Sequence, residues 1–176
     1  MRHVVARADE IPAGSRKILE VAGRSIGIFN IGGEYFALRN RCPHQGGPLC
    51  EGIQWGLLEA SAPGEFSYSR KGEILTCGWH GWEFDIRTGQ SWCDPERLRV
   101  RAYDVRVEPG SAIASEGAGA AEAPAPGMVK GPYTATTFPV STDGQYVVVD
   151  LGRRAGEQPA GARAPRRRRQ TAGVTS

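Results

Sequence analysis

The sequence lacks an apolar run of the roughly 20 residues that a membrane-spanning helix needs. Residues 1–9 also lack the apolar stretch of a secretory signal peptide. These two absences predict a cytoplasmic protein without a membrane anchor. At 176 residues, the chain has the length of one domain with a core of its own and some additional segments.

Histidine and cysteine are both scarce, and their positions are not scattered. The chain contains three His and four Cys, and two of each fall in two short segments. The first segment carries Cys42 and His44 as Cys-x-His, and the second carries Cys77 and His80 as Cys-x-x-His. Two thiolates and two imidazoles on two loops can enclose one metal centre.

Two kinds of metal centre use this set of ligands. Zinc binds two Cys and two His tetrahedrally, whereas one type of two-iron cluster places two thiolates on one iron and two imidazoles on the other. Common zinc fingers pair Cys with Cys and His with His along the chain, but each segment here carries one of each. This order favours two neighbouring irons. Gly46, Gly47, Gly78 and Gly81 would let backbone N–H groups approach the cluster sulfurs closely.

At these residues the sequence resembles a known family. Residues 42–49 read Cys-Pro-His-Gln-Gly-Gly-Pro-Leu, and residues 77–85 read Cys-Gly-Trp-His-Gly-Trp-Glu-Phe-Asp, with Thr-Gly following at 88–89. Both stretches resemble the Rieske [2Fe–2S] signature, in particular that of the ferredoxins and Rieske domains of ring-hydroxylating oxygenase systems. The resemblance implies one [2Fe–2S] cluster as the cofactor. It also implies that Cys42 and Cys77 bind one iron of the cluster and that His44 and His80 bind the other.

The resemblance also implies a fold and a function. The fold is all-β, a Rieske-type antiparallel β-sandwich base domain with a protruding cluster-binding tip made of two loops. The function is one-electron transfer, as a ferredoxin that receives electrons from a flavin-dependent reductase and delivers them to a terminal oxygenase or a similar redox protein. Two alternatives remain: a non-catalytic redox subunit of a larger oxidoreductase, similar to a nitrite reductase small subunit, and a structural zinc-binding module.

The third histidine, His3, decides whether the chain could be an oxygenase by itself. A terminal oxygenase also needs a mononuclear iron held by two His and a carboxylate. With two His assigned to the cluster, only His3 is left, and its place near the N-terminus predicts a surface residue. The sequence therefore predicts an electron-transfer component without a complete catalytic site.

Several positions differ from those of high-potential relatives in this family. Such relatives have a cluster-bonding Ser after the second His-Gly, where this chain has Trp82, so we expect a midpoint at the low end of the Rieske range, about −150 mV. Their extra cysteines, which form a disulfide, correspond to Gly47 and Trp79, so no such disulfide can form. The remaining Cys50 and Cys93 are predicted to be small buried residues.

Apolar and aromatic stretches punctuated by glycine turns predict short strands throughout the chain. No segment has a persuasive helical period. The predicted strands are residues 3–7, 17–22, 25–31, 34–39, 82–86, 98–107, 136–140 and 145–151.

The connection between the two ligand segments is longer than most family members have. Residues 50–72 contain a turn signal at 62–65 and a second one that begins at residue 70. We interpret them as an added hairpin, in which 66–69 return through 73–76 around a turn at 70–72. Composition divides the rest of the chain. Residues 1–151 are predicted to form the Rieske domain, interrupted by a flexible insertion at 108–132 that is rich in Ala, Gly and Pro.

Residues 152–176 are predicted to be a disordered basic tail. From residue 151 onward the chain has seven Arg and one Glu, which gives this part a net charge of +6. Because the whole chain has a net charge of +3, residues 1–150 have a net charge of −3. A mildly acidic body is typical of an electron carrier that meets basic patches on its partners. The basic run at 166–169 has no interleaved aromatics, so nucleic acid is not predicted as a partner.

Overall fold

A computed structural model describes residues 1–117 and 143–156. This part of the chain is built of antiparallel strands with very little helix, which confirms the predicted all-β fold. No helix within the described residues is long and apolar enough to span a membrane. The elements are β1 Arg2–Arg7, β2 Arg16–Val21, β3 Arg24–Ile31, β4 Glu34–Arg39, β5 Ile53–Ala62, β6 Glu65–Thr76, β7 Glu83–Asp85, β8 Ala102–Pro109, α1 Gly110–Gly117 and β9 Gln145–Arg154.

Six of the strands form a base sheet in the order β1-β9-β8-β4-β3-β2. The hairpins β2–β3 and β3–β4 turn at Ala22-Gly23 and Gly32-Gly33, all with positive φ, as tight two-residue hairpins require. Ala6 of one edge strand and Val21 of the other edge strand share one core, so the sheet curls around it. These local signals explain why the predicted bounds of β2, β3 and β4 agree with the structure to within a residue.

The remaining three strands form a smaller sheet in the order β5-β6-β7. It packs on the base sheet through a second core, which contains Phe29 and Leu38 from the base and Leu75 and Phe84 from the smaller sheet. Cys42 and Cys77 belong to this second core. The ligand segments are thus anchored where the two sheets meet, as the predicted base domain with a two-loop tip requires.

The added hairpin differs from its prediction. β5 and β6 pair from Ile53↔Thr76 to Ala62↔Glu65 and turn at residues 63–64, so residues 66–76 lie on one strand. The expected turn at 70–72 is a β-bulge, because the register passes from Trp55↔Ile74 to Leu57↔Ser69. The turn signal at 62–65 is thus confirmed, whereas the predicted turn at 70–72 and the predicted hairpin strands 66–69 and 73–76 were wrong. Since the paired end lies next to the second ligand segment, the hairpin tip points away from it.

Three boundaries also need correction. β8 begins at Ala102 and runs to Pro109, rather than spanning 98–107. α1 occupies part of the predicted flexible insertion, and β9 continues to Arg154, inside the predicted tail. The predicted strand 136–140, the rest of the insertion and most of the tail lie outside the described residues.

Candidate metal centre

The two ligand segments close in the same way. In the first, the Cys42 N–H donates to the Gly47 carbonyl at 2.8 Å, and the Gly46 N–H donates to the Cys42 carbonyl at 2.8 Å. Gly46 has a φ of +82°, a conformation that glycine adopts without a Cβ penalty. The result is a compact loop with the cysteine at its base.

The second segment repeats this hydrogen-bond pattern at the same offsets. The Cys77 N–H donates to the Trp82 carbonyl at 2.8 Å, and the Gly81 N–H donates to the Cys77 carbonyl at 3.0 Å. Gly81 has a φ of +69°. The loops therefore share one backbone design, although their His lie two and three residues past the Cys. Each loop presents a thiol at its base and an imidazole nearer its apex.

The two thiols are buried side by side. Cys42 and Cys77 are each only 2% exposed. Burial raises the pKa of the Cys42 thiol above its ordinary value, the adjacent Cys77 thiol raises it further, and N–H groups of His44 and Gln45 oppose the shift. Two adjacent buried thiols can ionise together only beside a compensating cation. This donor pair fits an iron.

The two imidazoles also come together. The ring centroids of His44 and His80 lie 5.1 Å apart, with the planes at 87°. For metal–nitrogen bonds of about 2.1 Å in tetrahedral geometry, two imidazoles on one metal have centroids about 5 Å apart. The Nδ1 atom of His44 is buried without a hydrogen-bond partner, and a buried polar atom in that state is costly. A metal bound at Nδ1 would remove that cost, so the residues fit the implied cluster.

The four donors come as two pairs, the adjacent thiols of Cys42 and Cys77 and the facing rings of His44 and His80. This pairing is the arrangement that the order of ligands along the chain favours.

Two tryptophans define the surroundings of the histidines. Trp82 stacks on His44, with centroids 4.5 Å apart and planes at 24°, so the indole covers one face of the imidazole. Trp79 is 59% exposed, yet its ring lies over Gly47, where a Cβ would be 2.8 Å from the indole. Gly47 and Trp79, which correspond to the disulfide-forming cysteines of high-potential relatives, are thus in contact here. The Trp82 stack was missed, since nothing local in sequence links residues 44 and 82.

A charged contact that sequence reasoning missed supports the second loop. Arg70, in the bulge of β6, donates to Asp85 at 2.5 Å and to Glu73 at 2.8 Å. The other carboxylate oxygen of Asp85 accepts the Thr88 N–H at 2.9 Å. Arg70 has a φ of +49°, so the bulge aims the guanidinium at the turn that follows the second loop.

The remaining Cys and His residues lie outside the centre. Cys50 is fully buried, as predicted, and burial raises the pKa of its thiol to about 12. Cys93 is exposed, so the prediction that it is buried was wrong. His3 is half-buried in β1 opposite Val149, with its Nε2 buried and unpartnered, so the surface prediction was also wrong. The backbone pairing of β1 with β9 explains this partial burial.

Comparison with known proteins identifies relatives of this chain. The family model described as Rieske [2Fe–2S] domain matches residues 1–104. The biphenyl dioxygenase ferredoxin subunit of Pseudomonas sp. (strain KKS102) is 29% identical over 100 residues, covering 57% of this chain and 78% of the relative. The ferredoxin component of the naphthalene 1,2-dioxygenase/salicylate 5-hydroxylase systems of Ralstonia sp. is 28% identical over 100 residues, covering 57% and 81%.

A solved structure is also similar. The ferredoxin of carbazole 1,9a-dioxygenase from Nocardioides aromaticivorans IC177 is 28% identical in sequence. The match covers 61% of this chain and 90% of that ferredoxin, with a TM-score of 0.47. The structural match covers 61% of this chain, and the two sequence matches each cover 57% of it.

Proposed function

Because the chain belongs to the Rieske [2Fe–2S] domain family, we propose that it is a ferredoxin component that carries single electrons. The resemblance predicted from the two ligand segments is confirmed by this family match, and the cofactor is one Rieske-type [2Fe–2S] cluster. The proposed donor is a flavin-dependent reductase, and the proposed acceptor is a terminal oxygenase. Relatives named as ferredoxin subunits of dioxygenases support this pairing.

In this proposal Cys42 and Cys77 bind one iron, and His44 and His80 bind the other. The observation that carries the assignment is the pair of imidazoles 5.1 Å apart beside two buried, adjacent thiols. The buried, unpartnered Nδ1 of His44 supports this atom as the proposed metal-binding nitrogen of that ring. The bound cluster supplies a one-electron couple, whose potential lies above that of all-Cys clusters because neutral imidazoles replace two thiolates.

The side chains around the cluster control how water and redox partners reach it. The second core excludes water from the side of Cys42 and Cys77. His80 is exposed, so its imidazole edge is the proposed point at which electrons enter and leave. Trp82 holds the orientation of His44 and shields one face of it. No proton transfer or covalent step is required of any side chain.

Two further points belong to the proposal. The cytoplasm is the proposed compartment, supported by the cysteine usage, since two of the four cysteines are proposed cluster ligands and the other two, Cys50 and Cys93, form no disulfide. Domain limits near those predicted are also proposed, with the Rieske domain extended to the end of β9 and a basic tail after it. The alternative of a permanently bound redox subunit would use the same cluster, and co-purification with a partner would identify it.

A reductive titration tests the proposed function. We expect the purified protein to take up one electron per chain at a midpoint of about −150 mV. Optical spectra recorded at controlled potentials would measure both values. A protein with no reducible chromophore would contradict the proposal, whereas a midpoint above about 0 mV would contradict only the predicted low potential.

Replacing Trp82 by serine is expected to raise the midpoint potential by on the order of 50 mV. The substitution removes the stack on His44 and places a hydroxyl where high-potential relatives bond to cluster sulfur. Protein-film voltammetry would measure the shift. The control is Trp92→Ser, an exposed tryptophan outside both loops, which should leave the potential unchanged. Equal potentials in the two variants would refute the role given to position 82.

A further inference from the structure

A groove beside the first ligand loop is lined by arginines. It has a volume of about 370 Å³, and its walls include the proposed ligands Cys42 and His44. We call it the arginine groove, after its four basic residues, Arg39, Arg41, Arg99 and Arg101. Arg39 ends β4, and its backbone N–H donates to the Arg101 carbonyl at 2.9 Å, so the fold itself brings the two basic stretches together.

The charges of the arginine groove are not neutralised. Within residues 1–117 and 143–156, none of its four arginines takes part in an ion pair, and no carboxylate lines it. Elsewhere the same residue type is paired, since Arg70 and Arg87 each reach two carboxylates. A neighbouring cavity of about 210 Å³ continues the basic lining with Arg99, Arg101 and Arg154.

The arginine groove gives the surface near the proposed cluster a charge opposite to the net charge of residues 1–150. Residues 1–150 carry −3 overall, yet the surface next to His44 is locally positive. Unpaired guanidinium groups bind carboxylates in charge-assisted, bidentate hydrogen bonds. A local positive field also accelerates the approach of negatively charged molecules more than it strengthens their final complex.

We propose that the arginine groove is a docking surface for a redox partner that presents Asp and Glu side chains around its own redox centre. This inference rests on the proposed electron-transfer function, which it deepens by giving the partner's charge. Docking at the groove places the partner against His44, a proposed ligand of the cluster. The acidic character expected from net charge alone would instead favour a basic partner.

Two small redox probes of opposite charge test the sign of this surface without a known partner. The reduced protein is mixed in a stopped-flow instrument with hexacyanoferrate(III), an anion, or with hexaammineruthenium(III), a cation. For Arg41→Gln/Arg99→Gln, we expect oxidation by the anion to slow about tenfold at an ionic strength of about 10 mM. We expect oxidation by the cation to be unchanged or faster, and the difference to vanish in about 0.5 M salt.

The matched control is Lys71→Gln/Arg106→Gln, which makes the same change in net charge at exposed residues outside the groove. It should oxidise at the wild-type rate with both probes. Equal effects of the two double variants, or no effect of either, would overturn the docking surface while leaving electron transfer intact. A wild-type protein that cannot be reduced would instead refute the proposed function, so the two failures are distinguishable.

Discussion

Replacing Cys77 by serine is expected to abolish cluster assembly. The serine hydroxyl is a harder and less acidic ligand than a thiol, and Cys77 lies in a core that excludes water. Iron and acid-labile sulfide should fall from the stoichiometry of one cluster per chain to near zero. Because metal binding is coupled to folding, the thermal midpoint should fall as well.

Two control variants separate loss of a ligand from loss of a thiol. Cys93→Ser changes an exposed thiol and should retain all iron and full stability. Cys50→Ser changes a fully buried thiol that is no proposed ligand, so it should lose stability but keep its iron. Full iron content in Cys77→Ser would show that the ligand assignment is wrong.

Replacing Gly52 by alanine is expected to destabilise the protein by about 3 kcal/mol or more. A Cβ at Gly52 would lie 2.0 Å from the backbone carbonyl oxygen of Thr76. Gly52 leads the first loop into β5, and Thr76 directly precedes Cys77, so relief of the clash must separate the two ligand loops. Iron should be lost more readily, and the thermal midpoint should fall by about 10 °C.

The matched control for Gly52→Ala is a second glycine, inside a ligand loop. A Cβ at Gly78, next to Cys77, meets no protein atom within 4 Å, so Gly78→Ala should retain the wild-type stability of the folded chain. Calorimetry and iron analysis of the two variants give the comparison. Equal losses would mean that loop glycines matter through flexibility, and the contact with Thr76 would not explain the effect.

The centre could be predicted because its signals are short in sequence. Cys42 and His44 lie within three residues, as do Cys77 and His80 within four, and the closing glycines follow directly. The base hairpins were predicted for the same reason, since the glycine-containing turns Ala22-Gly23 and Gly32-Gly33, with positive φ, mark them locally.

The remaining features depend on residues that only the fold brings together. The stack of Trp82 on His44 and the grouping of Arg39 with Arg99 have no local sequence pattern. The hairpin was misplaced because a glycine with positive φ serves a bulge as well as a turn, and Gly72 was assigned to the wrong one.

The central claim is that His44 and His80 bind one iron of a [2Fe–2S] cluster. The most direct test is nitrogen ENDOR on the dithionite-reduced protein, prepared with ¹⁵N-labelled histidine. We expect a rhombic EPR signal with two distinct ¹⁵N couplings, one from each imidazole. A signal without nitrogen coupling, or an EPR-silent protein with stoichiometric zinc, would contradict the claim.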